Sequence, residues 1–282
     1  MIIVSLKCQM GNQLFQYAFG TAAAKQLHTP WLPFLNNPFY PFRLQYFKLD
    51  PFTHFLFSHP KITRQYNRVC RKLTKHMIKQ KVNDNEWEPL RTIENNRYYD
   101  GFFQSESYFH QYEATIRDRF QIKKSYQKQF TEKYGELFRT RKTIVVHLRR
   151  KDYHAVGYDD IGGTGIALPL SYYHEALSQI SRKEDYTILF ISDDIESVKH
   201  DFGDEPNYRF ENNAAIVDFQ LIQHADIAII ANSTFAWWAA YLSQNPTAQI
   251  YAPTYWWGFK VKKDFPVGIQ TDKFKWINFE QP

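Results

Sequence analysis

Two arginines in succession, Arg149 and Arg150, close the apolar run Thr143–Leu148. A guanidinium fork suits a dianionic group, and a pair of them at the end of a strand points to phosphate. Side chains alternate across a strand, so one arginine faces a ligand while the other pairs inside the protein, with Asp152 as the nearest carboxylate. A surface ion-pair cluster is the plainer alternative. Further along, Asp226–Ala231 runs into Asn232-Ser233-Thr234-Phe235 and then into a helical stretch. A helix start offers unpaired N–H groups and partial positive charge, which is a phosphate site. Read alone it is equally an N-cap made by Asn232 or Ser233. Taken with the arginines, a diphosphate is the joint explanation. Asp218 lies fifteen residues before Ser233 on the preceding helix. Its carboxylate can accept two hydrogen bonds side by side, as from the adjacent N–H groups of guanine, or serve as a helix N-terminal charge.

These residues need a scaffold that brings strand ends together. Strand-like runs followed by helix-like runs predict α/β layering. The first pair is Ile2–Leu6, a turn at Gly11-Asn12, and a helix from Gln13 to about Leu27. Residues 30–60 are rich in Pro and aromatics without a clean period and read as loop with short strands. A strand is predicted near Tyr98–Phe103, with helices over 106–119 and 125–138. Thr143–Leu148, Thr187–Ile191, Asp226–Ala231 and Gln249–Tyr251 read as buried parallel strands, with helices over 171–182, 215–224 and 233–243 between them. The boundary between domains is expected near residue 140. Ligands of open α/β sheets sit beyond the carboxyl ends of the strands. That draws in Lys7–Gln13 after the first strand, His147 just inside the second run, and Ser192-Asp193-Asp194 after the third.

A chain of 282 residues can bury one large or two ordinary cores. With only Cys8 and Cys70 there is no disulfide framework and no zinc site, and the chain reads as cytoplasmic. Neither a signal peptide nor a transmembrane run is recognisable. The formal charge of +6 is concentrated: residues 61–81 hold eight Lys or Arg and no acid, and removing those eight leaves 27 basic against 29 acidic residues. Ile62, Tyr66, Val69, Leu73 and Met77 recur there at helical spacing, which predicts a basic amphipathic helix. It is a docked surface helix or a peripheral contact with an anionic membrane surface or charged glycan carrier. Nucleic acid is not expected, because no binding motif accompanies the charge.

The string His147-x-Arg149-Arg150-x-Asp152-Tyr153 resembles glycosyltransferase family 11, the α-1,2-fucosyltransferases. Gly11-Asn12-Gln13-Leu14-Phe15-Gln16-Tyr17-Ala18, Gly101-Phe102-Phe103-Gln104-Ser105, Ser192-Asp193-Asp194 and Asp226 through Asn232-Ser233-Thr234-Phe235-Ala236-Trp237-Trp238 are similar to further motifs of that family, in its order along nearly the whole chain. The resemblance implies a GT-B-like α/β architecture, two Rossmann-like domains with a cleft between them. Residues 1–140 would form the acceptor side and 141–282 the GDP-fucose side. It implies inverting transfer of L-fucose from GDP-β-L-fucose to the 2-hydroxyl of a terminal β-galactoside. Arg149 looks like the arginine on the β-phosphate, Asp218 like the guanine partner, Ser233 to Phe235 like the phosphate-side loop, and Asn12 like the asparagine that reaches the reacting centre. Gly11, Gln13, His147, Arg150, Tyr153, Asp194, Asn232 and Thr234 complete the expected donor surroundings. One departure stands out: the family's Gly-Gly-Leu-Gly-Asn-Gln is here Cys8-Gln9-Met10-Gly11-Asn12-Gln13, which bears on acceptor preference.

Fixed cationic donors can stabilise a GDP leaving group without a metal. No Asp-x-Asp string is present, so neither metal nor other cofactor is expected beyond the donor. Asp152 is the first candidate for a general base, followed by Glu106, Asp159 and His147, with an orienting salt bridge as its other role. Rival readings are an α-1,6-like linkage on the same fold, a glycan-binding protein without activity, and a nucleic-acid binder using 61–81. Trp237 and Trp238 are expected in the core.

Overall fold

A computed structural model describes residues 1–37, 39–82 and 92–280. The chain divides into two compact units, Met1–Lys123 with Val267–Ile269, and Lys124–Pro266 with Gln270–Pro282. The division precedes the helix Lys124–Thr140, instead of following it near residue 140. That helix carries its apolar side to the second unit: Phe130 stacks on His224 at 4.8 Å, and the Tyr134 hydroxyl donates to Glu211 at 2.6 Å.

The first unit contains β1 (Ile2–Ser5), α1 (Met10–Gln26), β2 (Trp31–Phe34), α2 (Pro51–Ser58), α3 (Pro60–Leu73), β3 (Ile78–Lys81), β4 (Arg97–Asp100) and α4 (Glu113–Arg119). Its parallel sheet has the order β2-β1-β4-β3. β1 is buried along its length, and the period of two sends its side chains to opposite layers. Ile2 and Val4 pack with Phe19, Ala23, Tyr99 and Phe103, while Ile3 packs with Phe34, Cys70 and Tyr98.

The structure corrects four local expectations here. α1 opens at Met10, so Gly11 and Asn12 lie in its first turn; the chain reverses before them, at Cys8, whose φ is 65°. α2 was hidden in the Pro-rich stretch, although Asp50 caps it by accepting from the Thr53 N–H at 2.9 Å and Pro51 supplies the first turn. The basic helix ends at Leu73, and the rest of 61–81 is a short 3₁₀ turn and the strand β3. Among the described residues β3 pairs only with β4, and it carries Lys79 and Lys81, the charges that protect an exposed edge. Finally, the expected helix over 106–119 consists of two 3₁₀ turns and the short α4.

The second unit contains α5 (Lys124–Thr140), β5 (Thr143–Leu148), β6 (Gly157–Tyr158), β7 (Gly163–Thr164), α6 (Leu170–Ser178), β8 (Thr187–Ser192), α7 (Ile195–Phe202), β9 (Tyr208–Glu211), α8 (Ala215–His224), β10 (Ile227–Ile229), α9 (Thr234–Tyr241), β11 (Gln249–Pro253) and β12 (Lys275–Ile277). β6 and β7 form a small antiparallel pair. The main sheet is parallel, in the order β12-β11-β10-β5-β8-β9. The chain runs from β5 outward through β8 to β9, then returns to β10 on the other side of β5. That is the doubly wound Rossmann order, and it puts the topological switch point between β5 and β10. Ile144, Val146, Leu148, Ile188, Phe190, Ile227 and Ile229 build the core layer with α6 residues Tyr173, Ala176 and Leu177. Trp237 and Trp238 are fully buried, as expected of a helix packed on its sheet.

Candidate active site

The switch point leaves the residues after β5 and β10 side by side, with those after β8 adjoining. Arg149 is half-buried just past β5. Its Nε and one terminal nitrogen donate to the two oxygens of Asp152, both at 2.9 Å, and its Nε also lies 3.3 Å from Asp193 Oδ2. The guanidinium rests over the Tyr153 ring, 5.7 Å from its centroid. Two carboxylates therefore hold one edge of the fork and an aromatic ring its face, and the remaining N–H groups stay available to a ligand.

Arg150 turns the other way, as strand alternation requires. Its side chain donates to Ser197 at 2.7 Å and pairs with Asp201 at 2.6 Å, both on α7, while its backbone N–H donates to Asp193 Oδ1 at 2.9 Å. Thus the internal partner of Arg150 is Asp201, and Asp152 belongs to Arg149. Asp193 serves both arginines and was not singled out in the sequence. Asp194, which was, opens α7 with its backbone N–H donating to Ser192 Oγ at 3.0 Å, and its side chain makes no capping bond.

Tyr153 connects the β5 end to the β10 end. Its ring lies under Arg149, and its hydroxyl donates to the Asn232 carbonyl at 3.3 Å and meets the Ser233 side chain. Burial lifts its hydroxyl to about 12, so it stays protonated and donating. Asn232 is fully buried, and its amide donates to the Ile166 carbonyl at 2.8 Å and the Trp256 carbonyl at 3.4 Å. Its own carbonyl also accepts from Trp257 Nε1 at 2.8 Å. Asn232 thereby fastens two loops behind the start of α9. Ser233 precedes Thr234 and Phe235 at that start and gives no side-chain cap, so the first N–H groups of α9 are left without one. Those donors and the free edge of Arg149 are linked through Tyr153.

His147 is buried inside β5, its ring 5.8 Å from that of Phe235, and its Nδ1 has no hydrogen-bond partner. Burial, with the Arg149 charge nearby, holds its imidazole down at about 3. A ring so weakly basic stays neutral and takes up no proton near neutrality. Phe235 also meets Phe219 of α8 edge-on at 5.4 Å, which ties α9 to the helix whose first turn carries Asp218. Burial lifts the Asp218 carboxyl to about 7, against the lowering effect of Asn213, which donates to it at 2.9 Å. Asn213 Oδ1 accepts in turn from Tyr134 at 2.9 Å and Lys133 at 2.7 Å, and Glu211 accepts from the same two groups. The sequence offered no pattern for this network, because α5, β9 and α8 supply it from separated stretches.

In the first unit, Asn12 and the turn before it are held by buried glutamines. Gln104 donates to Asn12 Oδ1 at 2.7 Å. Gln13 is fully buried, donating to the Cys8 carbonyl at 3.1 Å and the Pro41 carbonyl at 2.9 Å, while its Oε1 accepts from the Arg43 N–H at 2.9 Å. Gln16 accepts from the Lys7 N–H at 2.8 Å and donates to the Gly101 carbonyl at 3.2 Å. Two motifs about ninety residues apart, Gly11–Gln16 and Gly101–Gln104, are thus one hydrogen-bonded assembly. Gln13 is spent on the backbone. Gly11 is buried behind it, and Asn12 is the half-buried member of the trio.

Comparison with known proteins agrees with this architecture. The structure is similar to that of the fucosyltransferase NodZ from Bradyrhizobium, with a TM-score of 0.52 at 14% identity over 86% of this chain and 92% of that one. A crystal of NodZ α-1,6-fucosyltransferase soaked with GDP-fucose gives 0.51 at 15% identity, over 86% and 91%. At such identities the likeness concerns the fold, the GT-B-like α/β class. In sequence, the chain is similar along its length to an α-1,2-colitosyltransferase of Escherichia coli, 24% identical over 99% of both. It is also 29% identical to the O-antigen biosynthesis glycosyltransferase WbnK of Escherichia coli, over 48% of this chain and 44% of that relative, less than half its length. The model of glycosyl transferase family 11 matches residues 1–264, and the chain belongs to that family.

Proposed function

We propose that this glycosyltransferase moves L-fucose from GDP-β-L-fucose to the 2-hydroxyl of a terminal β-galactoside, with inversion and without a metal. The observation that carries the reading is Arg149, a guanidinium held on one edge by Asp152 and Asp193 and linked through Tyr153 to the uncapped start of α9. Fixed donors of this kind act on charge that develops in the transition state, here on the β-phosphate oxygen as the anomeric C–O bond breaks. The acceptor oxygen forms the new bond from the opposite face. Asp218 takes the guanine edge and Asn12 the reacting end of the acceptor. Asp152 positions Arg149, since both its oxygens already accept from that side chain, and His147 is too weakly basic to serve. The hydroxyl proton then passes to the departing phosphate. Asp193 is committed to the two arginines and Asp160 lies 3.5 Å from Lys263, so neither adjacent aspartate pair is arranged to clamp a cation.

The name of the full-length relative makes a colitosyl donor the second reading, on the same linkage. No described helix is long and apolar enough to cross a membrane. Peripheral contact with an anionic surface is supported by Ile62 and Val69, which are exposed on α3 among its lysines. The test is turnover of GDP-fucose and a GDP-colitosyl donor with lactose in excess chelator, with linkage determined by NMR. A 2′-fucosylated product supports the reading. Colitosyl transfer alone moves the donor, and loss of turnover on metal stripping with recovery on magnesium or manganese ends the metal-free claim.

A further inference from the structure

The first unit contains an open cavity of about 560 Å³ that none of Asn12, Arg149, Asp152 or Asp218 lines. One wall is aromatic. Phe42 and Phe57 stack at 4.2 Å and 13°, and Tyr40 stands beside them. Flat half-buried rings are what the apolar faces of sugars pack on. The other wall is α3, which turns Arg64, Arg68 and Arg71 toward the cavity at spacings of four and three, one face of a helix. Arg71 donates to the Asn36 carbonyl at 3.3 Å. Among the described residues Arg64 and Arg68 have no carboxylate partner, and residues 61–81 contain no acid that could supply one. Asn67 lies between them with its Oδ1 unpartnered. Guanidiniums gathered on one side of a concave, ring-lined site, without counter-charge among the described residues, match an oxyanion.

The same wall is continuous with the turn that presents Asn12. Pro41 and Arg43 flank Phe42, and both are held by Gln13. Tyr40 reaches back to the Cys8 thiol. A saccharide whose reacting end lies at Asn12 therefore has this cavity along its path, within one compact unit.

We propose that the cavity binds an oxyanion carried by the acceptor saccharide at a distance from the hydroxyl that is glycosylated, either a sugar carboxylate or a phosphate ester at its reducing end. The proposal rests on the reading of the first unit as the acceptor side. The test compares lactose, lactose 1-phosphate and a β-galactosyl-glucuronate as acceptors, with the wild type and with the Arg64→Gln/Arg68→Gln protein. GDP affinity and melting temperature check that the variant is folded. In the wild type, KM for the preferred charged acceptor is expected to be about tenfold below that for lactose, a gap of the size one charge-assisted contact supplies. In the variant the ratio shrinks toward one. Which charged acceptor is favoured tells phosphate from carboxylate. Equal KM values for all three, or a ratio unmoved by the substitutions, overturn the proposal. If no galactoside turns over at all, the assigned reaction fails separately. The cavity is then tested by calorimetry with the two charged saccharides alone, where binding lost in the variant supports the proposal and absence of binding overturns it. Loss of binding to phosphatidylglycerol vesicles in the variant, with acceptor ratios unchanged, assigns the arginines to a membrane surface and likewise overturns it.

Discussion

Two groups of arginines stand in opposite electrostatic situations. After β5, Arg149 and Arg150 are each met by carboxylates, from Asp152, Asp193 and Asp201, at hydrogen-bonding distance or close to it. On α3, Arg64 and Arg68 face a cavity with no carboxylate of their own among the described residues. The difference separates two uses of the same side chain. A guanidinium clamped by its neighbours has lost its freedom before the ligand arrives, so its remaining donors act where charge appears during reaction. An unclamped one attracts an anion and adapts to it, contributing to ground-state binding and long-range steering that salt weakens.

If that contrast holds, substitutions in the clamped group fall on turnover. Arg149→Lys keeps the charge and loses the fork, and kcat is expected to drop about 10²- to 10³-fold in steady-state assays, the size seen when a fixed transition-state donor is removed. A drop confined to KM would place Arg149 with the loose group. Donor binding should sense Asp218 next. Guanine's N–H groups need its ionised form, so KM for GDP-fucose is expected to rise about tenfold as pH falls from 8 to 6 through its value of about 7, and Asp218→Asn should flatten that dependence. The unliganded fold favours the neutral acid, whose ordinary value of 3.8 is far below. That stabilisation is complete below the unfolded value and is lost as pH rises through about 7, so melting without GDP should decline from pH 6 to 8 less in Asp218→Asn. Asp152→Asn keeps the shape of the clamp and weakens one partner, and kcat should fall by about tenfold or less with the pH profile unshifted. A lost acidic limb in that profile would return Asp152 to proton transfer. The smallest effect belongs to Cys8→Gly. Left-handed backbone costs a non-glycine residue about 1–2 kcal/mol, of which glycine's greater unfolded freedom takes back up to about 1, so unfolding in urea should show a gain of about 0.5 kcal/mol. A loss would mean that the Tyr40 contact outweighs the strain.

Much of the second unit was legible in the sequence because its strands are buried on both faces and read as apolar runs; β5 and α8 fall where the pattern puts them. β9 and β12 escaped because Tyr208–Glu211 and Lys275–Ile277 are short, half-polar edge strands. In the first unit the apolar spacing through Met77 predicts one helix, although sheet pairing takes over at Ile78. Composition cannot distinguish a residue packed from a helix and one packed from the strand that follows it. At the site, Arg149 and Arg150 could be expected to part company, since alternation follows from the strand alone. Which carboxylate serves which arginine depends on β8 and α7 lying beside β5, and only the topology supplies that. For the same reason the motif points to Asp194 and the structure to Asp193. Gln13 stands in a motif whose resemblance implies a ligand contact, but its buried amide bonds main chain through both N–H groups and its oxygen.

That engagement limits how the enzyme can be remodelled. Gln13 reads no side chain in residues 41–43, only their peptide groups. Homologous segments can therefore be exchanged across this stretch with any sequence whose backbone returns a carbonyl and an N–H to the same two points. An insertion or deletion of a single residue would strand two hydrogen bonds in the interior. Libraries intended to alter acceptor preference are best varied in residue type at fixed length there.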